Sequence, residues 1–369
     1  MQIPFMRLDR QFAARKAEYM AAVEAVFTHG KVLQAREVAD LEARVAGLFG
    51  RAQGAAVGSC TDALVLALRA LDLAPGDRVA VTALSFVASA SAIALAGGVP
   101  VFVDIEPEYC QSREDTLLDL VRGRKVRGVV AVHLYGQMLE LGEIYAEARR
   151  NGVFVIEDAA QALGATRHGT PPGAHSDVTC LSFDPTKVIG AQGSGGMALT
   201  DDATLAERIR RLRYHGHAGN RVYTEIGHNS QLPTVQAALL SVKLEHEAEW
   251  RARRIAIANR YSETIAGLPF ATLPAVRPGN EHIFHKYVLR APNVRDRLAA
   301  HLKGLGISTA VHYTLPLSEQ PCFKGRCETA GPIVEARLAC REVLSLPMYA
   351  ELTPGMVRHV VDCLREAVA

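Results

Sequence analysis

Lys187 stands in a segment whose composition suits a chemically active amine. The turn residues Asp184 and Pro185 precede it, and a glycine-rich stretch over residues 190–196 follows it. Apolar runs on both sides predict two strands with the lysine on the turn between them. Proline fixes its backbone φ angle, and glycine lets the chain pass close to a ligand. Most lysines are solvated surface residues. The alternative is a desolvated amine with a lowered pKa, which can form a Schiff base.

Asp158 ends the apolar run that begins at Val153, and this pattern predicts a buried parallel strand. Ligands of open α/β sheets bind at the carboxyl ends of such strands. A helix N-cap is the alternative role for this acid, because residues 159–163 could begin a helix. A lysine and a carboxylate together suit pyridoxal phosphate, which needs an amine for its aldehyde and a carboxylate for its ring nitrogen.

The small and hydroxylic residues 58–61 come just before the leucines of a helix that is predicted over residues 59–71. A helix N-terminus presents free N–H groups and the positive end of the helix dipole, so it binds anions such as a phosphate. Capping of the helix by Ser59 or Thr61 is the simpler explanation for these residue types. Together with the lysine and the acid, the order of the three features favours a pyridoxal-phosphate site.

The sequence resembles the DegT/DnrJ/EryC1/StrS sugar aminotransferases over nearly its whole length. Two motifs at their mutual spacing, VIEDAAQALGA and SFDPTK, are the most specific part of this resemblance. The other matching segments are IPFMRLDRQ, GSCTDAL, TALSFVASASAIALAGGVPVFVDIE, HLYGQM, GSGG, LRYHG, GHNSQL, QAAL and LSLPMY. The resemblance implies a fold-type I enzyme that depends on pyridoxal 5′-phosphate.

The resemblance also implies a role for each matching residue. Lys187 would form the Schiff base with the cofactor and then act as the catalytic base, while Asp158 would pair with the pyridinium nitrogen. The other expected contacts are Phe86 and Gln161 at the ring, Cys60, Thr61 and Ser182 at the phosphate, Asn229 from the neighbouring subunit, and His312 and Tyr313 at the sugar. The active site is therefore expected to be shared within a homodimer, and no metal is expected.

Three positions depart from the family pattern. Cys60 stands where glycine is usual, Gln231 where arginine is common, and Ser194 where an acid is common. The change at position 231 removes a positive charge near the expected site. Relatives with histidine in place of Lys187 perform dehydration, so the lysine itself indicates transamination. The departures bear on the substrate rather than on the essential groups.

The resemblance implies transfer of an amino group from glutamate to a keto sugar by a ping-pong mechanism. A nucleotide-linked 3- or 4-keto sugar is the expected acceptor. One alternative is an enzyme of the same fold that acts on a cyclitol or on an aromatising ring ketone. Another is a non-catalytic regulator that binds pyridoxal phosphate or an amino sugar. A regulator has little need for both a base and an electron sink, so Lys187, Asp158 and Ser182 together favour an enzyme.

Apolar strands alternate with helices between residues 54 and 201, which predicts a mainly parallel sheet with helices on both faces. Right-handed crossovers would place the strand ends that carry Phe86, His133 and Asp158 at one edge. The expected fold class is α/β. A large domain of the aspartate aminotransferase type, with a seven-stranded sheet, would carry a smaller C-terminal α/β domain.

Helical periodicity sets the remaining boundaries. Amphipathic helices are predicted over residues 9–28 and 38–48, and a long helical stretch over residues 232–261. We place the domain boundary within that stretch, near residue 248. The large cofactor-binding domain is then residues 1–248, and the small domain is residues 249–369.

Composition argues against several other functions. The hydrophobic content of 49% and the charged content of 22% are those of an ordinary soluble globular protein. A net charge of +2 gives no reason to expect nucleic acid or a membrane as a partner, and a cytoplasmic location is expected. The seven cysteines include no CxxC pair, so neither a zinc site nor a disulfide framework is predicted. The HxH of His215 and His217 is interpreted as unrelated to metal.

Arginine is concentrated in two short runs, over residues 208–213 and 251–254. Solvated helix faces are the favoured interpretation of such runs. The alternative is that one or two of these side chains bind the diphosphate of a nucleotide sugar, because the guanidinium fork suits phosphate.

Overall fold

An eight-stranded mixed sheet is the framework of the computed structural model, which describes residues 1–367. Two pairs of short strands lie outside it. The strands in chain order are β1 (Gln53–Val57), β2 (Arg78–Thr82), β3 (Val99–Val103), β4 (Gly128–Val132), β5 (Phe154–Asp158), β6 (Thr166–Arg167), β7 (Val178–Ser182), β8 (Gly196–Thr200), β9 (Asn280–Glu281), β10 (Tyr287–Arg290), β11 (Glu328–Thr329) and β12 (Val343–Leu346).

The strand order in the large sheet is β1-β8-β7-β5-β4-β2-β3-β11. Strands β7, β5, β4, β2, β3 and β11 are parallel, and β8 runs antiparallel to both of its neighbours. The predicted α/β fold class is confirmed by this mostly parallel sheet and its flanking helices. The strand that was not expected is β11, which has only two residues and comes from the C-terminal part of the chain.

The α-helices are numbered in chain order in the same way. They are α1 (Leu8–Ala14), α2 (Lys16–His29), α3 (Arg36–Leu48), α4 (Cys60–Ala70), α5 (Ala88–Leu95), α6 (Glu114–Arg122), α7 (Gly142–Asn151), α8 (Ala203–Leu212), α9 (Thr234–Leu244), α10 (Glu247–Ile265), α11 (Arg295–Gly304), α12 (Glu335–Glu342) and α13 (Pro354–Glu366).

The predicted helix over residues 9–28 is interrupted at Arg15, which leaves the helical region with φ −128° and ψ 23°. Its N–H bonds to the carbonyl of Phe12, three residues back. Helix α2 ends at His29, close to the predicted end at residue 28. Gly30 ends it by adopting the left-handed conformation at φ 69°, and its N–H donates to the carbonyl of Val26. No helix within residues 1–367 has the length and apolar character needed to cross a membrane.

Helix α4 carries few polar side chains, and eight of its eleven residues are buried. Leu64, Leu66 and Leu68 have no exposed surface. The helix packs on β7 and β8 on one side and against α5 and α8 on the others. Such burial fixes both its axis and the position of its N-terminus, which begins directly after β1.

The chain after residue 248 contributes to two hydrophobic cores. Tyr261, Tyr287 and Val360 belong to a separate core that also takes in Ile3 from the N-terminus. Phe323, in contrast, packs in the same core as α4 and the large sheet. The division into domains near residue 248 stays a prediction, because the two parts interlock through this shared core.

Gly196 opens β8 against the start of α4, and its packing leaves no space for a side chain. A β-carbon there would lie 2.4 Å from the Ser59 carbonyl carbon and 2.5 Å from the Cys60 nitrogen. We expect Gly196→Ala to lower the free energy of unfolding by about 1–3 kcal/mol, because backbone must shift to admit the methyl group. Thermal unfolding followed by circular dichroism measures the effect.

The matched control is Gly47→Ala, a substitution on α3 at a glycine with no atom within 4 Å of the new β-carbon. Alanine in an exposed helix is favoured over glycine by about 1 kcal/mol, so this variant should be as stable as the parent or more so. Equal melting temperatures for the two variants would contradict the proposed contact between β8 and α4.

Candidate active site

A cavity of about 490 Å³ opens at the carboxyl ends of β2, β4, β5 and β7. This is the edge at which the parallel strands were expected to present their functional residues. Nine predicted site residues line it: Cys60, Thr61, Phe86, Asp158, Gln161, Ser182, Lys187, His312 and Tyr313. The tenth, Asn229, is exposed and lies outside this cavity.

Lys187 lies in the loop between β7 and β8, as the sequence predicted. The backbone N–H of Lys187 donates to the carbonyl of Asp184 at 2.9 Å, and this hydrogen bond closes the turn. Gly190 must be a glycine here, since a β-carbon would lie 2.6 Å from the Asp184 and Pro185 carbonyl oxygens. The ammonium of Lys243 also donates to the Gly190 carbonyl and anchors the loop from below.

Burial lowers the pKa of Lys187, and the negative charges of Asp158 and Asp184 oppose this shift only in part. The amine therefore loses its proton more readily than a surface lysine does. Of the two interpretations of the sequence, the structure supports the desolvated amine. An amine of this kind is a better nucleophile and a better base near neutral pH.

Asp158 is the last residue of β5, and it is 5% exposed. One carboxylate oxygen accepts a hydrogen bond from the Ser89 hydroxyl at 2.7 Å, and the other accepts from the Ala160 N–H at 3.1 Å. Ser85 in turn lies 2.9 Å from the Ser89 hydroxyl. Residues 159–165 form turns and not a helix, so the N-cap role considered for Asp158 is wrong. The carboxylate is instead held in a fixed orientation at the cavity wall.

The start of α4 forms one end of the cavity. Ser59 caps the helix through its hydroxyl, which accepts from the Asp62 N–H at 3.1 Å. The capping explanation is therefore correct, and it leaves Cys60 and Thr61 of the first turn at the cavity surface. Burial raises the pKa of the Cys60 thiol well above its usual range, so the side chain next to the expected anion is neutral.

His312 and Tyr313 form the wall opposite the sheet. The Tyr313 hydroxyl accepts from the Gln161 amide at 3.3 Å, and the Tyr313 ring lies 6.4 Å from that of Phe86. The ring of His312 bonds to the Ser345 hydroxyl at 2.8 Å. Burial, with help from Lys286, lowers the pKa of His312 to about 4, so this histidine is neutral at physiological pH.

Two residues of the cavity wall, His285 and Lys286, were missed in the sequence. The segment HIFHKYVLR has the apolar pattern of a single strand, but β10 begins only at Tyr287. Phe284 has a positive φ of 47°, and this bend aims the following side chains at the cavity. A non-glycine residue in that conformation leaves no clear signal in the sequence.

His133 lies beneath the cavity and supports it. Its ring bonds to the Glu157 carboxylate at 2.6 Å, and neither side chain is exposed. Its backbone N–H donates to the Asp158 carbonyl at 3.1 Å. Tyr145 and the Gly173 N–H also bond to Glu157, so the strand that carries Asp158 is fixed from its far face.

The two arginine runs do not reach the cavity. Arg208 and Arg211 pair with Glu225, and Arg213 pairs with Glu42. Arg254 is buried and donates to backbone carbonyls of Phe284, His285 and Met348. These contacts are structural, and the alternative role of the runs in binding a diphosphate receives no support.

The donor set of the cavity fits pyridoxal phosphate. A desolvated amine, an oriented carboxylate and the first turn of an eleven-residue helix converge on one space. The amine suits the aldehyde of the cofactor, the carboxylate its ring nitrogen and the helix N-terminus its phosphate. No cluster of three or more candidate metal ligands occurs within the described range 1–367. Fold and site together define a fold-type I aminotransferase.

Comparisons with known proteins give the family. The chain belongs to the DegT/DnrJ/EryC1/StrS aminotransferase family, whose model matches residues 13–365. It is 39% identical to a pleiotropic regulatory protein of Geobacillus stearothermophilus, over 99% of this chain and 98% of the relative. It is 36% identical to the UDP-N-acetyl-3-dehydro-alpha-D-glucosamine 3-aminotransferase of Acidithiobacillus ferrooxidans, again over 99% and 98%.

Solved structures agree with this assignment. The crystal structure of S. venezuelae DesV in complex with a ketimine intermediate superposes with a TM-score of 0.94 at 35% identity, covering 100% of this chain and 99% of that one. NtdA of Bacillus subtilis, solved with bound cofactor PMP, matches with a TM-score of 0.89 at 26% identity, covering 99% of this chain and 85% of that one. The resemblance inferred from the motifs is thus confirmed, and the protein is a pyridoxal-phosphate-dependent aminotransferase.

The hydroxyl of Ser89 is the side-chain donor to Asp158, and we expect Ser89→Ala to weaken cofactor binding. Loss of a hydrogen bond to a charged group costs about 1.5–3 kcal/mol, which corresponds to roughly a tenfold or greater rise in the Kd of pyridoxal phosphate. Titration of the apoenzyme with the cofactor, followed by absorbance, measures the change.

The control is Ser91→Ala on the same helix, because Ser91 does not line the cavity. That variant should bind the cofactor like the parent. Equal cofactor affinity for Ser89→Ala and Ser91→Ala would show that Ser89 does not orient Asp158.

Proposed function

We propose that this protein transfers an amino group from glutamate to a keto sugar that is linked to a nucleoside diphosphate. The observation that carries the proposal is the meeting of Lys187, Asp158 and the start of α4 in one cavity. Support for the acceptor comes from the relative of Acidithiobacillus ferrooxidans, whose name specifies a UDP-linked 3-dehydro sugar. Because donor and acceptor use the same cavity in turn, the kinetics are ping-pong.

Each residue has a distinct part in the proposed reaction. Pyridoxal phosphate, when bound, supplies the aldehyde and an electron-accepting ring. The Lys187 amine removes the proton from the α-carbon of the amino donor, and Asp158 holds a proton on the ring nitrogen. Thr61 and Ser182 hold the phosphate with the N–H groups of the first turn of α4, where Cys60 contributes a neutral side chain.

The acceptor is placed against the wall formed by His312 and Tyr313. Both are uncharged in the cavity, since burial lowers the pKa of His312 and raises that of Tyr313. Neutral donors and acceptors suit the hydroxyl groups of a sugar ring. Gln161 and Phe86 lie between this wall and the sheet, where they contact the cofactor ring in our proposal.

We also propose that the active site is shared within a homodimer. Asn229 is exposed and lies outside the cavity of its own chain, which leaves it free to reach the site of a partner. Helix α2 supports the proposal, because Met20 and Phe27 are 50% and 65% exposed. With Val23 they border an apolar surface groove, and a second copy of the chain would cover it.

A regulatory function is the second candidate, since the Geobacillus stearothermophilus relative is named a pleiotropic regulatory protein. A regulator needs the cavity for binding but has no need for a desolvated base beside an oriented carboxylate. The two candidates differ in one observable, which is conversion of the bound cofactor by an amino donor.

Glutamate should bleach the absorbance band of the cofactor-loaded enzyme, and Lys187→Ala should abolish this conversion. The reason is that the variant lacks the amine that removes the proton from the α-carbon in the proposed reaction. We expect a fall in rate of at least about a thousandfold, which is on the scale of general-base catalysis. Rapid-mixing absorbance spectroscopy on the loaded enzyme gives the rate directly.

Lys324→Ala, at an exposed lysine, is the control and should behave as the parent does. Retained conversion in Lys187→Ala would remove this lysine from its central role. After conversion by glutamate, nucleotide-linked 3- and 4-keto sugars and cyclitol ketones are added in turn. Recovery of the original spectrum by a keto sugar supports the proposal, while recovery by a cyclitol ketone alone would contradict it.

Phe27→Glu tests the shared site. A carboxylate at the centre of an apolar interface is left without a partner, so the variant should be monomeric at micromolar concentration. Its cofactor affinity should fall as well, because Asn229 of the second subunit is lost. Analytical ultracentrifugation gives the mass, and absorbance titration gives the affinity.

Leu305→Glu is the matched control, an equally drastic change at a partly exposed leucine at the end of α11. It should leave the mass of a dimer unchanged. A dimeric Phe27→Glu variant would show that α2 is not the interface.

A further inference from the structure

A second lysine, Lys286, borders the same cavity as Lys187. It is only 7% exposed, and its backbone N–H donates to the Tyr135 carbonyl at 3.3 Å. Its ammonium lies 4.9 Å from the centre of the Phe5 ring. Within residues 1–367, its ammonium has no hydrogen bond to a carboxylate, and the acid whose charge acts on it is Asp184. A buried lysine without a counter-ion is unusual, because burial of an unpaired charge is costly.

The position of Lys286 is fixed by its surroundings. Arg254, which is itself buried, donates to the carbonyls of Phe284 and His285 just before it. Strand β10 begins just after it and pairs with β12. The side chain is therefore held at the cavity wall and does not sample open solvent.

The charged side chains that line the cavity determine which cation is available to an anionic ligand. The charged side chains among the described lining residues are Asp158, Asp184, Lys187 and Lys286. Asp158 is held by Ser89, and Lys187 is committed to the cofactor and to proton transfer. The Asp184 carboxylate already accepts from the backbone N–H and the hydroxyl of Thr186. His285 adds no positive charge, because burial keeps its pKa well below the usual value. An anion that enters this cavity therefore meets Lys286 as its available cation.

Burial lowers the pKa of Lys286 to about 7, the nearby charges of Arg254 and Lys187 act in the same direction, and the charge of Asp184 opposes them only in part. An anion bound next to the ammonium would reverse this effect, since an opposite charge favours the protonated form. An anionic ligand would therefore offset the free-energy cost of desolvating the Lys286 ammonium. Such a group is suited to ligand recognition more than to fold stability.

We propose that Lys286 binds the carboxylate attached to the reacting carbon of the amino donor. This deepens the proposed function and rests on it. In an amino acid the carboxylate is one bond from the carbon that loses its proton to Lys187. In a nucleotide-linked keto sugar the diphosphate is several bonds from the ring ketone. A cation in the same enclosed cavity as the base therefore matches the donor carboxylate and not the diphosphate.

The test measures binding without turnover, on the cofactor-loaded enzyme. Isothermal titration calorimetry with glutarate, an unreactive dicarboxylate, gives the affinity for the anionic groups of the donor. We expect Lys286→Met to raise the Kd for glutarate by roughly tenfold to a hundredfold, the loss that accompanies removal of a charged hydrogen bond. Lys286→Arg, which keeps the charge, should stay within a few-fold of the parent.

Two controls isolate the effect. Lys303→Met removes an exposed lysine on α11 and should bind glutarate like the parent. UDP is titrated as a probe for the diphosphate, and its affinity should be the same in every variant. The melting temperature of Lys286→Met should be equal to or above that of the parent, because methionine replaces an unpaired buried charge.

Unchanged glutarate affinity in Lys286→Met, or a loss confined to UDP, would overturn the proposal. A lowered melting temperature with unchanged affinity would assign Lys286 a structural role and overturn it equally. Glutamate conversion by the parent enzyme is recorded separately and tests the proposed function. Because glutarate binding needs no conversion, failure of one proposal is distinguishable from failure of the other.

Discussion

The desolvation of one primary amine is the constraint on which the rest of the site depends. Lys187 can act as a nucleophile and a base only when its amine is unprotonated. Exclusion of water favours this neutral form, because a desolvated ammonium is unstable. The loop that carries it is therefore closed by backbone contacts through Gly190 and anchored by Lys243. Both anchors lie outside the cavity, which keeps the cavity itself free for ligands.

The sheet topology brings the other groups to this amine. Parallel strands end at one edge of the sheet. Asp158 at the end of β5 and Ser182 at the end of β7 therefore both lie beside the loop that carries Lys187. Helix α4 begins at the same edge because it follows β1 directly. The tight packing of Gly196 on the start of that helix then fixes the distance between the anion-binding end and the lysine loop.

Much of this arrangement could be predicted from the sequence, because the residues that carry it stand at strand ends. The apolar run before Asp158 and the turn residues before Lys187 mark two such ends clearly. Lys286 could not be found this way, since its placement depends on a bend at Phe284 that an ordinary strand pattern hides. The structural role of Arg254 was equally hidden, because a run of arginines in a helix gives no sign that one of them is buried.

Strand β11 also escaped prediction, since Glu328 and Thr329 are polar, exposed and only two in number. It pairs with β3, which is otherwise the last strand of the sheet, and Glu328 pairs with Arg78 of β2. A bare edge of this kind exposes backbone groups that invite pairing with the strands of other molecules. The C-terminal part of the chain therefore covers Val101 and Phe102 at this edge with a charged and very short strand, which is one of the ways in which proteins make a sheet edge a poor template for such pairing.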